Sequence, residues 1–283
     1  MNPILGETYT CYWEYPDNTK GYYISEQTSH HPPKSSYFFM APEHHIRIDG
    51  TLKPRSKFLG NSVASEMEGI AVLRILNKGK RDPEGKRLGG EKYILTQPDM
   101  YARGILFGKM RYELGKTVIV QCSELDLVAN IEFKTKGWVG GTYNAIGGTI
   151  KMESTGEVLY EFSGTWSEQM YITDARTKQR TLLYDATAQK PTPPQVRPLE
   201  EQSERESQKL WYPTVQAVIA RDHEKATEEK SQIENMQREE AAKRLADGVD
   251  WKPRYFRPVE CGPKGREEGE GVEKLDWVLN RDM

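Results

Sequence analysis

Two runs, Thr8-Tyr9-Thr10-Cys11-Tyr12-Trp13 and Gly21-Tyr22-Tyr23-Ile24-Ser25, flank the cluster Pro16-Asp17-Asn18-Thr19-Lys20. Aromatic and β-branched residues on both sides of a turn-forming segment predict an antiparallel hairpin. Working outward, similar runs recur: Ser36–Phe39, His45–Ile48, Ile70–Ile75, Lys92–Thr96, Thr117–Val120, Ala129–Phe133, Glu157–Phe162 and Thr181–Tyr184. Several alternate apolar with polar residues, as in a sheet with one wet face. No convincing long helix separates them, so the first part of the chain reads as an antiparallel meander, large enough to curl or close.

The 283 residues carry 40 Lys+Arg against 42 Asp+Glu, a near-neutral balance that argues against nucleic-acid binding. No run of about 18 apolar residues offers a membrane span, and the N-terminus lacks the pattern of a secretory signal. Cys11, Cys122 and Cys261 are far apart and odd in number, which argues against a disulfide framework or a zinc module. A soluble cytosolic globular protein is expected. The stretch 77–90 (NKGKRDPEGKRLGG) reads as a basic, Gly-rich hairpin tip or a loop that touches a membrane. Lys190-Pro191-Thr192-Pro193-Pro194 ends the sheet region. Beyond it, Glu, Lys, Gln, Arg and Ala dominate, which predicts helices over about 200–221, kinked or broken at Pro213, and about 223–246. Asp222 is the expected N-cap of the second, and Gly248 lies just past its end. That second helix is polar almost all round and needs more than core packing to hold it. The tail from Trp251 ends in a Gly/Glu-rich stretch that reads as loose.

The sharpest local string is Glu26-Gln27-Thr28-Ser29-His30-His31-Pro32-Pro33. Two prolines stop the strand, and a turn there can make adjacent imidazoles converge on an anionic oxygen. An arbitrary His-His pair is more often a hydrogen-bonded surface pair, and His44-His45 is read that way. On the polar helix, Lys230, Glu234 and Arg238 follow steps of four and share one face. Two cations held in register by a carboxylate could clamp a phosphate, although such spacing usually decorates a surface. The stretch Gly137-Trp138-Val139-Gly140-Gly141-Thr142-Tyr143 lacks the ending and context of a phosphate loop and reads as a loop or bulge. No GxSxG, HExxH or kinase set is present, so no enzyme is expected.

Taken with Asn2-Pro3-Ile4-Leu5-Gly6-Glu7, the His-His string resembles the signature of oxysterol-binding-protein-related lipid-transfer domains, with Thr28 where valine is usual. The likeness continues through Lys57–Ser62, Arg103–Gly108, Leu199–Gln202 and the Lys230/Glu234/Arg238 helix, about residues 1–258. Met40–His44 and Leu95–Pro98 are similar to the fungal branch that handles phosphatidylserine. The resemblance implies an α+β, mainly antiparallel fold: an incomplete β-barrel (about 1–190) around a lipid tunnel, with helices (about 199–247) packed outside and 259–283 as a loose tail. It implies exchange of phosphatidylinositol 4-phosphate for phosphatidylserine between membranes, with no cofactor and no metal. By the motif, His30, His31, Asn2, Lys230, Glu234 and Arg238 match the phosphoinositide headgroup site, and Ser56 matches a contact to the serine headgroup. The expected partners are phospholipids, through peripheral contact with endoplasmic reticulum and plasma membrane, placing the protein in the cytoplasm at their contact sites. Sterol as the second lipid, or a sensor or tether without efficient transport, are the alternatives. The family carries a Lys three residues before the position of Asn2 and, before that, a first strand and a lid. The chain begins at Met1 and so reads as truncated, and a lidless tunnel is expected to leak.

Overall fold

The computed structural model describes residues 2–85, 89–137, 140–260 and 275–280. Cys261, residues 86–88 of the basic loop, Trp138 and Val139 of the Gly-rich stretch, and most of the expected tail lie outside the described residues. The strands are β1 (Thr8–Glu14), β2 (Lys20–Ser29), β3 (Lys34–Ala41), β4 (Ile46–Phe58), β5 (Ser62–Glu68), β6 (Ala71–Ile75), β7 (Glu91–Leu95), β8 (Asp99–Arg103), β9 (Arg111–Cys122), β10 (Leu127–Lys134), β11 (Ala145–Met152), β12 (Val158–Thr165), β13 (Gln169–Asp174), β14 (Arg180–Asp185), β15 (Phe256–Pro258) and β16 (Trp277–Leu279). The first fourteen form one antiparallel sheet from β1 to β14. It forks at the long strand β4, whose first half pairs with β6 and second half with β5. The branches rejoin at β9, through β7 and β8. The edge strands β1 and β14 do not pair with each other, so the barrel is incomplete. The expected hairpin β1–β2 is present, with Trp13 opposite Gly21.

Antiparallel partners share a face, and one face carries apolar ladders. One rung runs Tyr23, Phe39, Ile48, Leu73, Tyr93; another runs Val118, Ile131, Gly148, Phe162, Ile172. Apart from Val118 and Gly148, whose hydrogen adds no apolar area, these side chains are only half-buried. Among the described residues the helices make their main contacts with each other and with the edge strand β1, not with these ladders. The curl of the sheet shelters this inner face.

Burial is deepest on the other face. Glu26, Ser36, Asp49, Thr51 and Val72 are almost wholly enclosed there. The stretch read as a loose tail differs from that expectation where it is described: β16 pairs with β15 and lies on β3 and β4, and Leu275 and Val278 pack on Val72. Two apolar side chains outweigh the cost of ordering so short a segment. Asp276 also reaches Lys34 and Lys53, at 2.6 and 3.2 Å.

The first helix, α1 (Ser207–Ile219), begins later than the composition suggests, because residues 199–206 are tied up otherwise. Leu199–Glu201 is a single 3-10 turn, and Glu206 accepts the Ser203 N–H. Pro213 sits inside α1. The second helix, α2 (His223–Asp247), has the expected ends: Asp222 accepts the Lys225 N–H and Gly248 adopts a left-handed conformation. Its polarity is explained by polar tethers, described next.

Candidate functional site

The His-His string folds into a turn at the end of β2. Thr28 is buried, with its hydroxyl 3.1 Å from that of Ser36. The Ser29 hydroxyl donates to the Pro32 carbonyl at 2.8 Å, closing a turn whose His31-Pro32 bond is cis. The two imidazoles converge, with ring centres 4.6 Å apart and planes at 72°. His30 is half-buried, and burial lowers its pKa; the adjacent His31 adds to this, and the Pro3 backbone opposes both.

Gln237 on α2 fixes the tautomer. Its amide oxygen accepts the Leu5 N–H at 2.9 Å, so its amide nitrogen faces Nε2 of His30, 2.7 Å away, as a donor. Nε2 is then the acceptor, and the proton of the neutral ring sits on Nδ1. That Nδ1 is buried and makes no well-formed hydrogen bond, although the Pro3 backbone carbonyl acts on the ring as an acceptor. Nearby, the Trp251 indole N–H is buried without a hydrogen-bond partner. A buried donor of this kind calls for an acceptor.

These groups line a cavity of about 300 Å³ formed by Leu5, Thr28, Ser29, His30, His31, Gln237, Arg238, Ala241, Arg244 and Trp251. No carboxylate is among these lining residues. With two guanidiniums and two imidazoles on an otherwise largely apolar lining, it is suited to an anionic group. Its wall is stiff. Arg205 donates to the Leu5 carbonyl at 2.7 Å and pairs with Glu240 of α2, while Arg205 and Arg244 each lie 5.4 Å from the Trp251 ring centre. Gly6 has φ +75°, and a Cβ there would come within 2.1 Å of Trp251, so the N-terminal turn requires glycine. Glu7 accepts from the Ile4 N–H and the Trp211 indole at 3.0 Å each and from Ser207 at 2.6 Å, which locks the same turn to α1. Among the described residues no group of His, Cys, Asp or Glu is arranged to hold a metal ion.

Of the residues singled out in the sequence, His30, His31 and Arg238 line this cavity. Glu234 stands 3.1 Å from Lys230 and 3.6 Å from Arg238 and holds the two cations in one row. Lys230 lies two helical turns, about 12 Å, before Arg238, and Lys230 and Asn2 are not among the lining residues. Asn2 is exposed. Ser56 is exposed on β4 opposite Ser65, and it too is outside this cavity. Gln237, Arg244 and Trp251 escaped the sequence reading. Gln237, Ala241 and Arg244 continue the face begun by Lys230 and Glu234, so the first and last were legible as steps of three and four. Trp251 gave no local signal. His44 is a hydrogen-bonded surface histidine, 2.9 Å from the Thr19 hydroxyl, as read.

A family model described as "Oxysterol-binding protein" matches residues 1–218 and 212–282. Oxysterol-binding protein-like protein OBPalpha of Candida albicans is 51% identical over 280 residues, covering 99% of this chain and 62% of that protein. Oxysterol-binding protein homolog 7 of Saccharomyces cerevisiae is 53% identical over 285 residues, covering 100% of this chain and 61% of its own length. The chain therefore spans about three fifths of these relatives. In fold it matches the Osh1 ORD domain solved with cholesterol (TM-score 0.75, 22% identity, 100% of this chain and 68% of that one). It also matches the Saccharomyces cerevisiae Osh3 ORD solved with PI(4)P (TM-score 0.61, 20% identity, 98% and 68%). With a family match along its length and relatives above half identity, this chain belongs to the oxysterol-binding protein family.

Proposed function

We propose that this chain is a non-enzymatic lipid-exchange domain that takes up phosphatidylinositol 4-phosphate and trades it for phosphatidylserine. The observation that carries the reading is the carboxylate-free cavity lined by two imidazoles, two guanidiniums and Trp251, whose buried indole N–H has no partner, in a fold whose apolar ladders are left half-covered. A diacyl lipid exposes about 30 methylenes at about 0.8 kcal/mol each, on the order of 20 kcal/mol, which no flat surface site can offset. An apolar trough can. The phosphorylated headgroup is held by His30, His31 and Arg238, with Lys230, Glu234 and Asn2 completing the site as the headgroup enters. Ser56 contacts the serine headgroup of the second lipid. Two lipids that need the same trough exclude each other, and exclusive occupancy yields exchange without any covalent step. The protein acts in the cytoplasm, in peripheral contact with endoplasmic reticulum and plasma membrane.

His30→Ala/His31→Ala is expected to abolish phosphoinositide extraction from liposomes; extraction at the wild-type level would refute the site. Native mass spectrometry of the purified protein identifies the second lipid. Sterol is the competing cargo, because the same fold was solved with cholesterol in the Osh1 ORD domain. Recovery of sterol in place of phosphatidylserine would decide for it. A sensor or tether would bind the headgroup but show no transfer between two vesicle populations.

A further inference from the structure

The hairpin between β4 and β5 and the loop between β8 and β9 are stapled to each other by one side chain. The Asn61 amide oxygen accepts the N–H groups of Leu106 and Phe107 at 2.9 Å each, its amide nitrogen donates to the Phe107 carbonyl at 3.0 Å, and its backbone carbonyl accepts the Gly104 N–H at 2.9 Å. The joined tip turns its largest side chains outward. Phe107 is 78% exposed, Phe58 65% and Leu106 61%. Loops that merely failed to pack would not be held so firmly with their apolar residues in water. Residues 55–62 and 103–112 also carry five cations, Arg55, Lys57, Arg103, Lys109 and Arg111, and no carboxylate. Three of the five pair with glutamates of adjoining strands, while Lys109 is exposed two residues after Phe107 and Arg111 is exposed with its guanidinium 4.4 Å from the Tyr143 ring centre. Phe58 has the same parity along β4 as Ile48 of the apolar ladder, so the tip extends the inner face to its rim.

We propose that this Asn61-stapled tip docks the protein on an anionic lipid bilayer, with Phe58, Leu106 and Phe107 entering the acyl boundary and Lys109 and Arg111 on the lipid phosphates. Apolar side chains framed by cations match a negatively charged interface and no other large surface as well. Docking there would bring the open end of the apolar face to the lipid it loads. This surface draws its purpose from the lipid-exchange reading, but it is tested without the cargo.

Co-sedimentation with vesicles of phosphatidylcholine and phosphatidylglycerol, lacking phosphoinositide and phosphatidylserine, is the experiment. Wild type is expected to bind these and to leave pure phosphatidylcholine vesicles unbound. Leu106→Ser/Phe107→Ser, and separately Lys109→Ala/Arg111→Ala, should weaken binding at least about tenfold. All four positions are exposed, and circular dichroism confirms that the variants fold. His30→Ala/His31→Ala should sediment like wild type while losing phosphoinositide extraction, so failure of the headgroup site and failure of the docking surface give different results. Wild type that does not sediment, tip variants that sediment normally, or a dimer abolished by the tip variants with vesicle binding intact would each overturn the proposal.

Discussion

At the scale of single residues, Gln237 decides what His30 can do. It accepts from Leu5 and donates to Nε2, so the ring is presented neutral with its proton on Nδ1. Gln237→Ala removes both roles, and headgroup binding should weaken about tenfold, with about 1 kcal/mol lost from stability. Titration calorimetry with a short-chain phosphoinositide and urea unfolding check the two effects. His30 itself makes a pH prediction. Its folded pKa is depressed by burial, so below the unfolded value of about 6.5 the unfolded chain takes up a proton that the folded one refuses. Stability therefore falls as pH drops through 6.5 towards the folded pKa, and is unaffected above it. Urea midpoints at two pH values on either side should show this fall in wild type and a smaller one in His30→Gln. The histidine pair was legible as a string. Gln237 and Arg244 lay on the helix face already marked by Lys230 and Glu234, but nothing local tied them or Trp251 to the histidines, because they meet only after some 200 intervening residues fold. Glu26, part of the same string, serves the scaffold instead of the cavity. It is buried, accepts the N–H groups of Arg254 and Tyr255 at 2.7 and 2.8 Å, and so anchors the C-terminal segment.

At the scale of elements, runs of aromatic and β-branched residues marked ten of the sixteen strands, while β5, β8, β11, β13 and the short pair β15 and β16 passed unnoticed. The missed strands are short, polar or Gly-containing, as in Ser62–Glu68 and Ala145–Met152, and are held by pairing on both sides rather than by their own propensity. The length of β4 was underestimated for the same reason, since its second half reads Lys53-Pro54-Arg55-Ser56-Lys57. Within β4, Gly50 lies under Tyr37: a Cβ there would stand 2.2 Å from the ring. Gly50→Val should cost about 1–3 kcal/mol or displace Tyr37 from its stack on Tyr23. Urea unfolding and near-ultraviolet circular dichroism would detect either result. The helix α2 illustrates how polar tethers replace an apolar stripe: only Ala226 of its 25 residues is buried, while Gln237, Glu240 and Arg244 tie it to the N-terminal turn and Trp251.

At the scale of the whole molecule, the enclosed core lies outside the barrel wall, beneath Leu275 and Val278. Leu275→Ala should destabilise the fold by about 2–5 kcal/mol, a loss measurable in thermal or urea unfolding. Asp276 adds a pH effect. Its burial raises its pKa, but Lys34 and Lys53 overcome this and hold the carboxyl below the ordinary range. That contribution is present at neutral pH and disappears as pH falls through the folded pKa, so Asp276→Asn should be less sensitive to acid than wild type. The half-sheltered ladders on the inner side have a further consequence. On the proposed reading, a bound lipid would cover these ladders, so cargo would serve as a removable piece of the protein's own interior. An unladen molecule keeps aromatic rings in contact with solvent and should melt earliest and clump most readily, whereas each acceptable passenger raises the melting point according to its occupancy. Thermal shifts across a lipid panel would then rank passengers without a label, and pressure against travelling empty would arise from the architecture itself.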